Sequence, residues 1–135
     1  MRRGQASIEY ISLVALVLVL SVPMLMIFYE KSAETKSTIN FNQAQQIAQK
    51  IADNAESIYY LGENAKTTLR ITMPENVVGI AIGNREVTLN LTDQGRISEI
   101  DASVPVNITG NISYYQGPHR IVIESRGSYV EVSEE

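Results

Sequence analysis

The stretch ISLVALVLVLSVPMLMIFY, residues 11–29, contains 19 consecutive residues without Asp, Glu, Lys, Arg or His. A helix rises about 1.5 Å per residue, so this stretch would be roughly 28 Å long, close to the hydrocarbon thickness of a bilayer. Pro23 lies within it and removes one backbone hydrogen bond, which predicts a kink but not the end of the helix. The stretch therefore predicts a helix that can span a membrane.

The charges outside this stretch restrict the classes of function. The chain has 135 residues, with 11 Lys and Arg against 15 Asp and Glu, and a formal net charge of −4. Arg2 and Arg3 are the only basic residues ahead of the stretch, and they favour a cytoplasmic amino terminus. This acidic balance argues against nucleic-acid binding, which needs a basic surface to neutralise phosphates. The chain has no cysteine, so disulfides, cysteine zinc sites and thiol nucleophiles are excluded.

Cleavage as an ordinary secretory signal is the weaker interpretation of the stretch. Such signals have an apolar region of about 7 to 15 residues followed by small residues at the cut. Here the apolar region is longer, and Lys31 lies where a small residue would be needed. Arg2 and Arg3 also lack the surrounding pattern of a twin-arginine signal. An uncleaved anchor with a domain outside the membrane fits better.

Residues 30–62 predict an amphipathic helix that continues from the apolar stretch. Apolar residues recur at three- and four-residue spacing on one face, while Lys, Gln, Asp, Asn and Glu occupy the other. Gly62 is suited to follow the last turn, because glycine readily adopts a left-handed conformation there. One helix is therefore expected from near Ala6 to Leu61. Its apolar positions in this part are Ile39, Ala44, Ile47, Ala48, Ile51, Ala52, Ala55, Ile58, Tyr59 and Leu61.

Beyond Gly62 the apolar residues alternate with polar ones, which predicts β-strands. Turn residues separate the alternating segments, and two Gly-Asn links, in AIGNREV (residues 81–87) and ITGNISY (residues 108–114), predict hairpins. We expect roughly five to seven short antiparallel strands, with the apolar face of the sheet packed on the amphipathic helix. A helix segregated from an antiparallel sheet belongs to the α+β class.

The sequence offers few candidate residues for catalysis or metal binding. His119, the single histidine, is expected in a solvated turn, since a metal site needs several convergent donors. Paired carboxylates, a phosphate-binding glycine loop and a Ser-His-Asp spacing are all lacking, so we expect no enzyme, no cofactor and no metal. In each of the pairs Tyr59-Tyr60 and Tyr114-Tyr115, we expect one ring to pack inward and the other to cover the surface.

Three N-x-[ST] triplets, at Asn90, Asn107 and Asn111, are candidate N-glycosylation sites if this part of the chain lies outside the cell. The alternative is that they only reflect a β-rich sequence with many threonines. Asn111 is the best candidate because it falls in a predicted turn. Asn90 and Asn107 qualify only if their side chains point away from the helix.

The stretch QASIEY, residues 5–10, places the carboxylate of Glu9 directly before the apolar stretch. A carboxylate among apolar helices costs about 2.5 to 3.5 kcal/mol unless it lies near the interface or is paired. The residues alone leave two interpretations open. Glu9 either sits in the first helical turn, favoured by the helix dipole and by headgroup water, or it pairs with a cation on a neighbouring chain.

The order of the segments along the chain is similar to that of a known protein family. A short basic leader, Gly4, QASIEY, an apolar stretch, a helix and a sheet together resemble archaeal type IV pilin-like proteins with class III signal peptides. The motif covers residues 3–10 and the architecture covers the whole chain. The resemblance implies cleavage between Gly4 and Gln5 by a prepilin peptidase on the cytoplasmic side. It also implies that Glu9 meets the new α-amine of Gln5 on a neighbour, unless Gln5 cyclises to uncharged pyroglutamate.

The resemblance implies four segments: a leader (1–4), a hydrophobic membrane and filament-core helix (5–29), an extracellular amphipathic helix (30–62) and a sheet head domain (63–135). The expected function is a structural subunit of a type IV pilus-like surface filament with a role in adhesion, in which Glu9 and Pro23 serve assembly. The precursor would cross the cytoplasmic membrane once with its carboxy-terminal domain outside, and would then join copies of itself or other pilins. The alternatives are a monomeric membrane-anchored domain, a minor pilin or accessory of a surface appendage machine, and an enzyme held at the surface.

Overall fold

The computed structural model describes the backbone of residues 2–93 and 95–135, with side chains from residue 7 onward in those ranges. Within these residues one helix, α1 (Arg2–Leu61), precedes seven strands. The strands are β1 (Lys66–Met73), β2 (Val77–Gly83), β3 (Glu86–Asp93), β4 (Arg96–Ser103), β5 (Ile108–Asn111), β6 (Gly117–Ser125) and β7 (Val130–Glu134). The predicted α+β class, with a long amino-terminal helix followed by a sheet, is confirmed.

α1 continues through Pro23 and ends where the sequence predicts. Leu61 is its last residue, and Gly62 follows with a φ of 102°, the left-handed conformation that a residue with a side chain rarely adopts. The Gly62 N–H donates to the carbonyl of Tyr59 at 3.2 Å, which closes the final turn. The chain divides into two compact units, Met1–Ser37 and Thr38–Glu135. The division into four segments stays a prediction.

The second unit has a core formed by one face of α1 and one face of the sheet. Buried alanines alternate with buried isoleucines on the helix, at the predicted three- and four-residue spacing. The small alanine side chains let the helix pack close to the sheet, and the larger isoleucine side chains fill the core between helix and sheet. The helix side of the core consists of Ala44, Ile47, Ala48, Ile51, Ala52, Ala55 and Ile58. Ile39 and Leu61, also predicted on this face, are 50% and 74% exposed, so the buried face is shorter than expected.

The sheet has the strand order β1-β6-β7-β5-β2-β3-β4. All neighbouring strands are antiparallel except β5 and β7, which run parallel. The expectation of a purely antiparallel sheet was therefore wrong at one pair. β1 and β4 form the two edges of the sheet.

One of the two predicted hairpins exists. β2 and β3 pair up to Gly83 and Glu86, and the two residues between them, Asn84 and Arg85, have φ values of 52° and 65°. Two consecutive positive φ angles define the hairpin turn whose twist matches that of the strands. The turn therefore begins one residue later than the Gly-Asn link, at Asn84.

The second predicted hairpin, at Gly110-Asn111, is wrong, because both residues belong to β5. Gly110 pairs with Ile82 of β2 and with Val132 of β7. A Cβ on Gly110 would overlap the carbonyl oxygen of Val132 and lie 2.8 Å from the Val132 Cβ. This glycine therefore permits a close approach of two strands and does not form a turn.

We predict that Gly110→Ala destabilises the folded unit by about 1–3 kcal/mol or more, because the new methyl group must displace Val132. The melting temperature of the full chain in detergent, followed by circular dichroism, should fall by roughly 4–8 °C for each kcal/mol lost. Gly83→Ala is the matched control, since a Cβ there meets no atom within 4 Å. Equal melting temperatures for the two variants would contradict the packing account of Gly110.

Candidate functional site

The apolar stretch of α1 is exposed on every side of the helix. From Ile8 to Tyr29, the large hydrophobic side chains leave between 41% and 76% of their surface uncovered. Among the described residues, one helix is long and apolar enough to cross a membrane, with a mean hydropathy of 2.8 in its most apolar window. An apolar surface that extends around the whole helix needs lipid or other apolar helices as its cover. The helix is therefore compatible with a membrane anchor.

The two serine hydroxyl groups of the apolar stretch donate hydrogen bonds to the helix's own backbone. Ser12 Oγ donates to the Ile8 carbonyl at 2.8 Å, and Ser21 Oγ donates to the Val17 carbonyl at 2.7 Å. A polar group in hydrocarbon is costly unless it is hydrogen-bonded internally, so these contacts suit an apolar environment. Pro23 lies inside α1 and has no N–H to donate to the carbonyl four residues before it, so one helical hydrogen bond is missing there.

Glu9 is exposed on α1, at the amino-terminal end of the apolar stretch. No side chain in the described part of the chain forms a hydrogen bond or an ion pair with it. Gly4 and Gln5, the predicted cleavage positions, lie outside the residues whose side chains are described. Cleavage and the pairing of Glu9 therefore stay predictions.

The three glycosylation candidates lie on the second compact unit, Thr38–Glu135, which we call the sheet unit. They differ in exposure. Asn107 and Asn111 are exposed, whereas Asn90 is half-buried in β3. Asn90 lies between buried Leu89 and Leu91, and alternation along a strand turns its side chain away from the core that α1 covers. Asn107 lies directly before β5, and its exposure shows that it is not part of the core. Asn111 ends β5 and is not in the predicted turn.

His119 is not in a solvated turn, so that prediction was wrong. It lies in β6 with none of its side chain exposed. Its Nδ1 lies 2.6 Å from Glu134 Oε1, and its Nε2 lies 2.7 Å from the carbonyl oxygen of Tyr115. The signal that would have found it is the alternation of Ile121 and Ile123, which places His119 on the same buried face two residues earlier.

Glu134 joins three segments of the sheet unit through its two carboxylate oxygens. Oε1 contacts His119 of β6, and Oε2 accepts a hydrogen bond from the backbone N–H of Ser113 at 2.8 Å. These bonds stabilise the ionised carboxylate. The backbone N–H of Ser113, the Ser113 side chain and His119 together lower the pKa of Glu134 from 4.5 to about 2.

The tyrosine pairs follow the prediction in one case. Tyr59 packs against the core while Tyr60 is 70% exposed, as expected. Tyr114 and Tyr115 are both exposed, so the expectation of one inward ring was wrong for this pair. The Tyr115 ring nevertheless lies 4.2 Å from the His119 ring, measured between centroids. Two exposed aromatic rings therefore sit on the segment that the Glu134–His119 pair holds.

The geometry of the His119–Glu134 pair fits a role in stabilising the fold better than a role in catalysis or metal binding. Both imidazole nitrogens contact an acceptor, and the ring is inaccessible to solvent. In the described residues no group of three or more His, Cys, Asp or Glu side chains is placed to hold a metal ion. The pair ties the segment before β6 to β6 and β7.

Comparison of the chain with protein-family models, curated proteins and solved structures gave no match. The class is therefore defined by the fold: a long apolar amino-terminal helix continues into a helix that packs on a sheet, which is a pilin-like α+β arrangement.

We predict that Glu134 stabilises the folded unit in a pH-dependent manner. Its folded pKa of about 2 is below its ordinary value of 4.5. Its contribution is therefore fully present above the ordinary value and is lost as the pH falls towards the folded pKa. The melting temperature of Glu134→Gln should be several degrees below that of the parent protein at about pH 6, and this gap should close towards about pH 2.

Glu86→Gln is the control for this measurement. Glu86 is exposed, and no residue with a described side chain forms a hydrogen bond or an ion pair with its carboxylate. Its substitution should leave the melting temperature nearly unchanged at every pH. A Glu134→Gln gap that stays constant across the acid range would show that the carboxylate's charge does not stabilise the fold.

Proposed function

We propose that the protein is a structural subunit of a type IV pilus-like surface filament, assembled through its apolar helix and serving adhesion. The observation that carries this proposal is the apolar surface around residues 7–29, which no described side chain of its own unit covers. In the precursor, lipid provides the cover. In a filament, the stretches of neighbouring subunits cover one another, and burial of apolar area stabilises them by about 25 cal/mol per Å².

The amino-terminal motif supports the filament over a permanent anchor. Cleavage between Gly4 and Gln5 removes Arg2 and Arg3, whose charges would be costly inside a bundle of apolar helices. Cleavage also creates a cationic α-amine on Gln5, while Glu9 is exposed one turn further along the helix. A neighbouring subunit's amine then neutralises the carboxylate that the bundle would otherwise bury alone.

The sheet unit provides the surface that meets the surroundings. Tyr114 and Tyr115 are 51% and 61% exposed, and aromatic rings bring large contact area at small entropic cost. Asn107 and Asn111 are exposed on the same unit and are the better placed of the three glycan acceptors. The proposal includes no catalysis, cofactor, metal or nucleic acid.

A membrane-anchored monomer and a minor pilin are the competing functions. The anchor is favoured by the same apolar helix, which needs only lipid around it. The minor pilin shares every feature of the major subunit and differs from it in abundance within the filament. The location of the native protein separates the anchor from the proposed filament subunit, and its abundance within the filament separates the minor pilin from the major subunit.

Processing is tested by the intact mass of the native protein. A mature chain that begins at Gln5 is expected, and a chain that begins at Met1 or Arg2 would leave only the anchor. The same spectrum distinguishes a free amine on Gln5 from pyroglutamate, which would exclude the ion pair with Glu9. Glycans would appear as added mass that Asn111→Gln or Asn107→Gln reduces.

Assembly is tested by shearing the cells that produce the protein. We expect long fibres that contain this chain in the sheared fraction, and we expect Glu9→Gln to reduce their yield strongly, because the neutral amide cannot neutralise the neighbouring amine. Asp53→Asn, a similar charge removal on the second unit, is the control. Recovery of the parent protein only from detergent-solubilised membranes would contradict the filament and support the anchor.

Pro23 is tested in the same sheared fraction. Its missing N–H leaves a backbone carbonyl free, which lets the helix bend or locally open as it leaves the membrane. Pro23→Ala should therefore alter the yield or the geometry of the fibres. Normal fibres from this variant would remove the reason to assign Pro23 a role in assembly.

A further inference from the structure

The two edge strands of the sheet carry unpaired charges of opposite sign. Lys66 and Arg70 are exposed on β1, and Glu99 and Asp101 are exposed on β4. No residue in the described ranges forms an ion pair or a side-chain hydrogen bond with any of these four. We call Lys66 and Arg70 the basic edge, and Glu99 and Asp101 the acidic edge.

Both pairs point to the same face of the sheet, away from the core. On β1 the charged residues alternate with Ile71 and Met73, and on β4 they alternate with Ile100 and Ala102, all four of which are buried. Successive side chains of a strand point to opposite faces. Arg96, the basic residue of β4, is even-numbered like Ile100 and so does not belong to the acidic edge's face.

The charges around the basic edge are already engaged within the subunit. Glu124, opposite Lys66 in the strand register, binds Arg126 at 3.2 Å. Arg120, opposite Arg70, lies 3.4 Å from Glu135. Two like charges directly opposite each other are unfavourable, yet no acid among the residues with described side chains pairs with Arg70. The basic edge is therefore available to an outside partner.

The backbone of both edges is also open. β1 pairs only with β6, and β4 pairs only with β3, so each has free N–H and C=O groups along its outer side within the described sheet. Each strand is 8 residues long. Charged edges prevent indiscriminate pairing, and here two basic edges or two acidic edges would repel. A basic edge and an acidic edge attract.

We propose that β1 of one copy docks against β4 of a second copy. In an antiparallel register with Arg70 opposite Glu99, Lys66 is diagonal to Asp101, and both cations meet an acid on the neighbouring strand. The same register places Thr72 over Ile97, which is 73% exposed in the single chain. This contact rests on the proposed filament and adds a link between sheet units to the contact between apolar helices.

The geometry of this contact leads to a polymer and not to a closed dimer. It uses two different patches of the subunit, so after the first contact one copy keeps a free acidic edge and the other copy keeps a free basic edge. A heterologous contact of this kind forms an open array unless its rotation happens to close a ring. A two-fold dimer would instead need a self-complementary patch, which neither edge provides.

Charge reversal in the full chain tests the contact. Lys66→Glu with Arg70→Glu, and Glu99→Lys with Asp101→Lys, should each lower the yield of sheared fibres roughly tenfold, because like charges then face each other. The four substitutions together should restore the yield to within about twofold, since the charges are again complementary. Lys50→Glu, a single charge reversal on the exposed face of α1, is the control. Normal yields from both reversed pairs, or failure of the combined variant to recover, would overturn the proposal.

A cross-link tests the contact without relying on fibre yield. The chain has no cysteine, so Arg70→Cys with Glu99→Cys introduces the only thiols. Oxidation of the full-length variant on cells should give a ladder of disulfide-linked multimers, because paired strands place opposite residues within disulfide range. Arg70→Cys alone should give no ladder.

The cross-link also separates this proposal from the function on which it rests. Parent fibres without a ladder in the double-cysteine variant would overturn the edge contact and leave the filament standing. A ladder without parent fibres would support the contact and remove the filament. Neither fibres nor ladder would overturn both.

Discussion

This structure depends on one constraint, which is that the apolar surface of α1 must be covered. The two parts of this one continuous helix satisfy the constraint in different ways. In the first unit the apolar residues extend around the whole helix, so cover must come from lipid or from other chains. In the second unit the apolar residues occupy one face of the helix. The sheet covers that face, so that Ala48, Ile51 and Ala55 are completely buried. The carboxy-terminal part of the helix is thus covered within one chain, while the amino-terminal part needs lipid or other chains to cover it.

The sheet that covers α1 is held at its carboxy-terminal side by short and specific contacts. β5 and β7 run parallel at a close distance that only a glycine at position 110 permits. Glu134, near the end of β7, binds His119 of β6 and the backbone of Ser113, so it ties the exposed Tyr114 and Tyr115 segment to the sheet. The aromatic surface proposed for adhesion is therefore attached to a rigid support, and its order depends on an ionised carboxylate.

In the proposed filament, charge acts at a second level, between subunits. The chain is acidic overall, at −4, but on the face of the sheet away from the core its two edge strands carry charges of opposite sign, basic on β1 and acidic on β4. Single exposed ion pairs stabilise a protein little. Repeated at every subunit of a filament, however, weak contacts add up along the assembly, and their sign decides which edges meet. The apolar helices would supply most of the cohesion, and the edges would supply the register.

The amino-acid sequence by itself determined the elements whose signal is local. The charge-free stretch, the amphipathic spacing up to Leu61, the left-handed Gly62 and the alternation of the strands are each readable from neighbouring residues. Only the tertiary structure decided what depends on distant partners. Gly110 resembles a turn glycine until Val132 is brought against it, and His119 resembles a solvated residue until Glu134, 15 residues later, reaches its ring. Spacing along the chain encodes which face a residue occupies, but not which strand lies beside it, because pairing is set by the packing of the whole sheet.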